Sequence, residues 1–218
     1  MSVNNKSSTL KFYSIHLIVA LIAFACLLMN GLMRGGLPVD TTVAERMSFI
    51  ASHQVSWSLS WCVWMLSALG LLVFCLIFAC EIRSKTLSRL GILLVALGIV
   101  PDLTAEVIYG FILPKLFLAG LQADQFLILE TIAYHLTGLL GNGLYNLGGL
   151  VLMFAAVREQ LFEPWVAVWG VTAWLLGLAL SISVALGNFS AMEFFTATSM
   201  VLSSLWMLVF AHRVLRKR

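Results

Sequence analysis

The chain has 218 residues, of which 61% are apolar and only 11% charged, with a formal net charge of +3. Soluble domains run at about 45–50% apolar and about 25% charged, and a globule of this size has too little interior to hide the excess. A cytosolic enzyme, a secreted disulfide scaffold and a disordered regulator are excluded, which leaves an all-α, polytopic integral membrane protein.

Six apolar runs reach the roughly 20 residues that a membrane-spanning helix needs, at about 13–33, 57–80, 90–113, 126–157, 165–187 and 194–212. Backbone in lipid has no outside partners, so each run must be a helix, and residues 1–218 read as one six-helix membrane domain. The first run is too long for a secretory signal segment and is expected to remain as a span. Ala20, Ala23, Asn30 and Arg34 lie along one of its faces, with Arg34 at the outer mouth, where it could meet an anionic headgroup or Glu106.

Residues 34–56 form an external loop, and Thr42 with Glu45 fits the T-x-x-E capping box that opens a short helix. The second run carries His53, Trp57, Ser60, Trp64 and Ser67 at helical spacing. Tryptophan is enriched at membrane interfaces, which suits Trp57, whereas Trp64 lies deeper and can wall a ligand pocket or simply pack.

The third run holds two acids, Asp102 and Glu106, about 40° apart around the helix, with Gly98 and Tyr109 on the same face. Pro101 leaves the carbonyl of Leu97 without its helical donor and should kink the helix just before Asp102. Ionisable groups inside spans are costly and mark function by default.

The fourth run has 32 residues, on the order of 48 Å of helix against a hydrocarbon core of about 30 Å, so it must tilt, kink or begin outside the core. Thr131, His135, Gly138, Asn142, Asn146 and Gly149 form one stripe at 3.6-residue spacing. Such stripes either bind helices together or line a polar niche. Glu130 falls off the stripe, five positions from His135, and is expected to meet water or headgroups. That spacing also argues against a carboxylate–histidine metal set on this helix. The fifth run offers Gly170, Gly177, Ser181 and Asn188, and the sixth Thr196, Ser199 and Ser203.

Lys and Arg set the orientation. Lys6, Lys11, Arg83, Lys85, Arg89, Arg158, Arg213, Arg216, Lys217 and Arg218 fall on one side, and Arg34, Arg46 and Lys115 on the other. The first side is therefore expected to be cytoplasmic, with both termini inside, in the cell membrane if the source is bacterial.

Asp102 and His135 each lie about ten residues, or roughly 15 Å, from the outer ends of their spans. A contact between them across neighbouring helices is the central expectation. Asp102, Glu106 and His135 are the candidate catalytic or proton-handling groups, and Tyr109, Asn142, Asn146, Trp57, Trp64 and Arg34 are candidate ligand contacts. The ligand would be small or lipidic, bound in an outward-leaning intramembrane polar pocket and used for transport or for acid–base lipid chemistry. A structural or regulatory module, whose polar faces only specify packing, is the alternative.

No cofactor and no metal are called for. Cys26, Cys62, Cys75 and Cys80 sit in apolar runs without a CxxC and read as small hydrophobes. The sequence has no Walker, H-E-x-x-H, G-x-S-x-G or DDxxD pattern and no deep lysine. Expected partners are membrane lipids and the ligand, with no nucleic acid, and the Gly-rich helix faces offer a homo-oligomer contact.

Overall fold

The computed structural model describes residues 3–39 and 41–215, with side chains from residue 8 onward. Of the basic residues used for orientation, Arg216, Lys217, Arg218 and the Lys6 side chain lie outside this range. Helix α1 (Val3–Asn30) leads through a short 3-10 turn at Arg34–Gly36 to α2 (Val43–Ser52). The long α3 (Gln54–Glu81) follows, then α4 (Lys85–Val107), which runs on through a π-helical turn at Ile108–Ile112 into the short α5 (Leu113–Leu118). Next come α6 (Ala123–His135), a second π-helical turn at Leu136–Gly141, and α7 (Asn142–Arg158). The chain closes with α8 (Pro164–Ala185) and α9 (Phe189–Phe210), the latter extended by a π-helical turn at Ala211–Leu215.

Six stretches are long and apolar enough to cross a membrane: Ser8–Asn30, Gln54–Glu81, Lys85–Leu118, Ala123–Arg158, Pro164–Ala185 and Phe189–Leu215. They match the six apolar runs within a few residues at most ends. This is an all-helical, multi-pass membrane architecture. Each span packs chiefly on the one before and the one after it in sequence, and α9 returns to α1, so the bundle closes as a ring in chain order. The Ser8 hydroxyl donates to the carbonyl of Leu215 at 2.6 Å, which ties the start of the first span to the end of the last.

The ring interior divides into two apolar clusters. Nearest the termini, Phe74, Phe78, Trp206 and Phe210 interlock with Ile15, Leu152 and Met153. Near α2, Met33, Ile50, Trp57, Trp61, Tyr109, Leu113 and Phe126 form the second cluster. On α4, Ile99 belongs to the first and Ala105 to the second, so Asp102 lies at the seam between them.

Close approach of α4 and α7 is what defines that seam. A Cβ on Gly98 would stand 2.7 Å from the Gly141 carbonyl oxygen and 2.9 Å from the Tyr145 amide. Two turns further along, a Cβ on Gly148 would lie 2.6 Å from the Gly91 carbonyl oxygen. Only glycine lets two backbones meet at this distance. These four glycines thus meet neighbours within the same chain.

Candidate functional site

Two buried charge clusters occupy the bundle, and π-helical turns shape both. A regular helix advances about 100° per residue, so the one extra residue in a π-helical turn rotates everything beyond it by about that angle. The turn at Leu136–Gly141 therefore breaks the stripe expected from 3.6-residue spacing. Upstream of it, Glu130 and Ala133 face the interior while Thr131 and Ile132 are exposed.

His135 moves with Thr131. Its Nδ1 bonds the Thr131 carbonyl at 2.8 Å, and its ring meets the edge of Tyr134. The hydrogen-bond partner of Asp102 is Thr137, whose hydroxyl donates to Oδ1. Thr137 stands five positions before Asn142, which is one turn in π-helical geometry and off-face in α-helical geometry. The expected Asp102–His135 contact is thus replaced by Asp102–Thr137.

Asp102 is 7% exposed and Glu106 3%. They stand one turn apart on α4, where side chains at this spacing are neighbours. Tyr145, on α7, lies within electrostatic reach of both. Glu106 Oε2 is buried and has no hydrogen-bond partner. Trp64 Nε1 is likewise buried and unbonded. Helices α3 and α4 pair antiparallel, with the Trp57 indole N–H donating to the Tyr109 carbonyl at 2.7 Å and the Ser58 hydroxyl to the Gly110 carbonyl at 2.6 Å.

The second cluster was not foreseen. Arg46, on α2, grips Glu130 with both arms of its guanidinium: Nε donates to Oε1 at 2.9 Å and Nη2 to Oε2 at 2.7 Å. Its remaining nitrogen, Nη1, donates to the Thr41 carbonyl at 2.8 Å, and the guanidinium carbon stands 5.8 Å from the Phe126 ring centre. Both residues are buried, so Glu130 does not meet water as expected. The Tyr109 hydroxyl donates to the Glu130 carbonyl at 3.3 Å, and its ring stacks on Trp61 with centres 4.8 Å apart. Tyr109 therefore serves this cluster, together with Trp57, which is sealed by its bond to the Tyr109 carbonyl.

The capping box expected from Thr42 and Glu45 is formed and starts α2 in the position that delivers Arg46. Hydrogen bonds from the Thr42 backbone and hydroxyl hold the Glu45 carboxyl below the usual carboxylate range. At the opposite end of the bundle, the Glu159 carboxylate accepts from the amides of Arg83 and Ser84, both at 2.7 Å, and is lowered for the same reason. It thereby satisfies donors at the start of α4, which has no side-chain cap of its own.

The remaining expected ligand contacts have partners within the protein. Asn142 Nδ2 donates to the Gly177 carbonyl at 2.6 Å and to Ser181 Oγ at 2.8 Å. Asn146 Nδ2 donates to the carbonyl and Oδ1 of Asn142, at 2.7 and 2.9 Å. This network fastens α7 to α8. Arg34 pairs with Glu193 at 3.1 Å in an exposed setting, and not with Glu106.

Against family models, curated proteins and solved structures alike, the chain has no match. Function must therefore be read from the residues. Among the described residues no group of three or more His, Cys, Asp and Glu is placed to hold a metal ion. What the acid pair offers is acceptor capacity: two carboxyl groups, one of them with an unbonded oxygen, beside a tyrosine and a threonine.

Proposed function

We propose that this multi-pass membrane protein binds the cationic or hydrogen-donating part of a small or lipidic ligand at Asp102 and Glu106, and uses that site for transport. The unbonded Oε2 of buried Glu106 carries the reading. An acceptor left without a partner away from water costs free energy that a donor from outside the chain would offset. Two π-helical turns flank the acids, at Ile108–Ile112 directly after Glu106 and at Leu136–Gly141 around Thr137, and such turns concentrate at functional sites. The basic-residue asymmetry favours cytoplasmic termini, with the α2 end facing outward.

The decisive experiment is equilibrium binding of a lipophilic cation, tetraphenylphosphonium, to purified protein in nanodiscs. Saturable binding is expected, reduced at least tenfold by Glu106→Gln and by Asp102→Asn, with Asn142→Ala binding as wild type. Absence of saturable binding, or wild-type binding by Glu106→Gln, removes the reading.

The second reading is a packing module, favoured by the Asn142–Asn146–Gly177–Ser181 network, which uses its polar atoms wholly between helices. In that case cation binding is absent and Asp102→Asn lowers the unfolding temperature without any other consequence.

A further inference from the structure

The end of the bundle that carries both termini holds a second group of chemistry-bearing side chains, unconnected to the acid pair. His16 on α1 and His212 in the π-helical turn that ends α9 meet edge-on, with ring centres 5.2 Å apart and ring planes at 66°, and Phe12 packs against both. His16 Nδ1 bonds the Phe12 carbonyl at 2.8 Å, and His212 Nδ1 bonds the Leu208 carbonyl at 2.9 Å. A carbonyl oxygen only accepts, so each Nδ1 must carry the proton. In the neutral imidazole each Nε2 then keeps its lone pair. Metal-binding histidines are prepared in this way, with the second nitrogen held by a carbonyl that fixes the tautomer and the ring.

We propose that His16 and His212 chelate one divalent ion of the zinc, nickel and copper class, clamping the first span to the last. The spacing supports it. With Nε2–metal bonds of about 2.0–2.1 Å and each nitrogen about 1.15 Å from its ring centre, two imidazoles at a tetrahedral angle have centres about 5.2 Å apart. That is the separation found here. All four histidines bond Nδ1 to the carbonyl four residues earlier, but of these only His16 and His212 meet another histidine ring.

Among the described residues, the adjoining basic side chains Lys11 and Arg213 are engaged with acids. Lys11 is bonded to Glu81 at 2.7 Å, and Arg213 lies 3.5 Å from Glu163 with its guanidinium over Trp165. His212 is exposed, so water can complete the coordination shell. Imidazole ligands select zinc, nickel and copper over magnesium and calcium, which prefer oxygen.

The test is isothermal titration of Zn2+ into the full chain in nanodiscs, with any affinity tag removed. One saturable site per chain is expected, with no binding of Ca2+. His16→Phe and His212→Phe keep a ring against Phe12 and should each weaken Zn2+ binding at least tenfold, while His53→Phe leaves it unchanged. Saturating Zn2+ should raise the unfolding temperature of wild type and of neither variant. Spin-echo spectroscopy of the Cu2+-loaded wild-type protein decides the matter without a substitution, since two imidazole nitrogens per ion are expected. Lack of saturable binding, a signature of a single imidazole, or binding that survives either substitution overturns the proposal.

Discussion

The two buried carboxylate sites differ in one respect that outweighs their likeness. Glu130 meets a guanidinium that matches both its oxygens, whereas Glu106 sits beside a second acid with one oxygen unbonded. Both are buried, and both lie beside a π-helical turn. A matched ion pair is how a fold holds a necessary charge, while an unmatched buried acceptor carries a desolvation cost that nothing within the chain offsets. The Arg46–Glu130 pair therefore reads as the fastening of α2 onto the bundle, and the Asp102–Glu106 pair is the binding site proposed above.

That contrast can be broken first at Glu130. Glu130→Leu strands the Arg46 guanidinium and is expected to cost about 3–5 kcal/mol, and adding Arg46→Met should restore most of it. Unfolding in mixed micelles reads both, and a Glu130→Leu protein as stable as wild type would show that the pair fastens nothing. Gly98→Ala comes next. Its Cβ would meet backbone atoms of α7, and separating the helices should cost about 1–3 kcal/mol in the same assay, with tetraphenylphosphonium binding weakened as the seam opens.

Asn142→Ala removes the bonds from α7 to α8 and should cost about 1 kcal/mol, the usual scale for an interhelical hydrogen bond in a membrane, without touching the acid pair. Glu106→Gln gives up no hydrogen bond at Oε2, so stability should change by less than about 1 kcal/mol while cation binding is lost. A large stability loss there would assign Glu106 the same structural duty as Glu130.

The smallest effect is a pH dependence outside the spans. Glu45 and Glu159 are both held below the usual carboxylate range by the amides they accept from. Their folded values lie below their unfolded ones, so the stability they contribute is present above the ordinary carboxylate range and is lost as pH falls through the folded values. Hydrogen exchange at the start of α2 and of α4 should quicken in that acid window. Glu159→Gln should flatten the response at α4 only.

Much of this was legible in the sequence because it depends on local sums. Hydropathy over 20 residues locates a span wherever the chain goes, and Thr42 with Glu45 makes its cap from residues three apart. Asp102 and Glu106 share a face because α4 is regular between them. The rest failed where a local rule was interrupted. Projection at 3.6 residues per turn put His135 on one stripe with Asn142 and left Glu130 off it, and the single extra residue of the π-helical turn reversed both. No composition signal in the segment announces that turn. Arg46 was counted as an external charge because its partner lies 84 residues away.

By itself, then, the sequence determined the class, the six spans, the capped helix between the first two of them and the presence of two acids deep in the third span. Lipid forces a hydrophobic stretch of that length to be helical whatever surrounds it. Tertiary structure alone decided which acid has a partner, which polar stripe bonds two helices, and which two histidines meet. Those outcomes depend on the phase of each helix and on which element arrives opposite it, and neither is a property of any one stretch of chain.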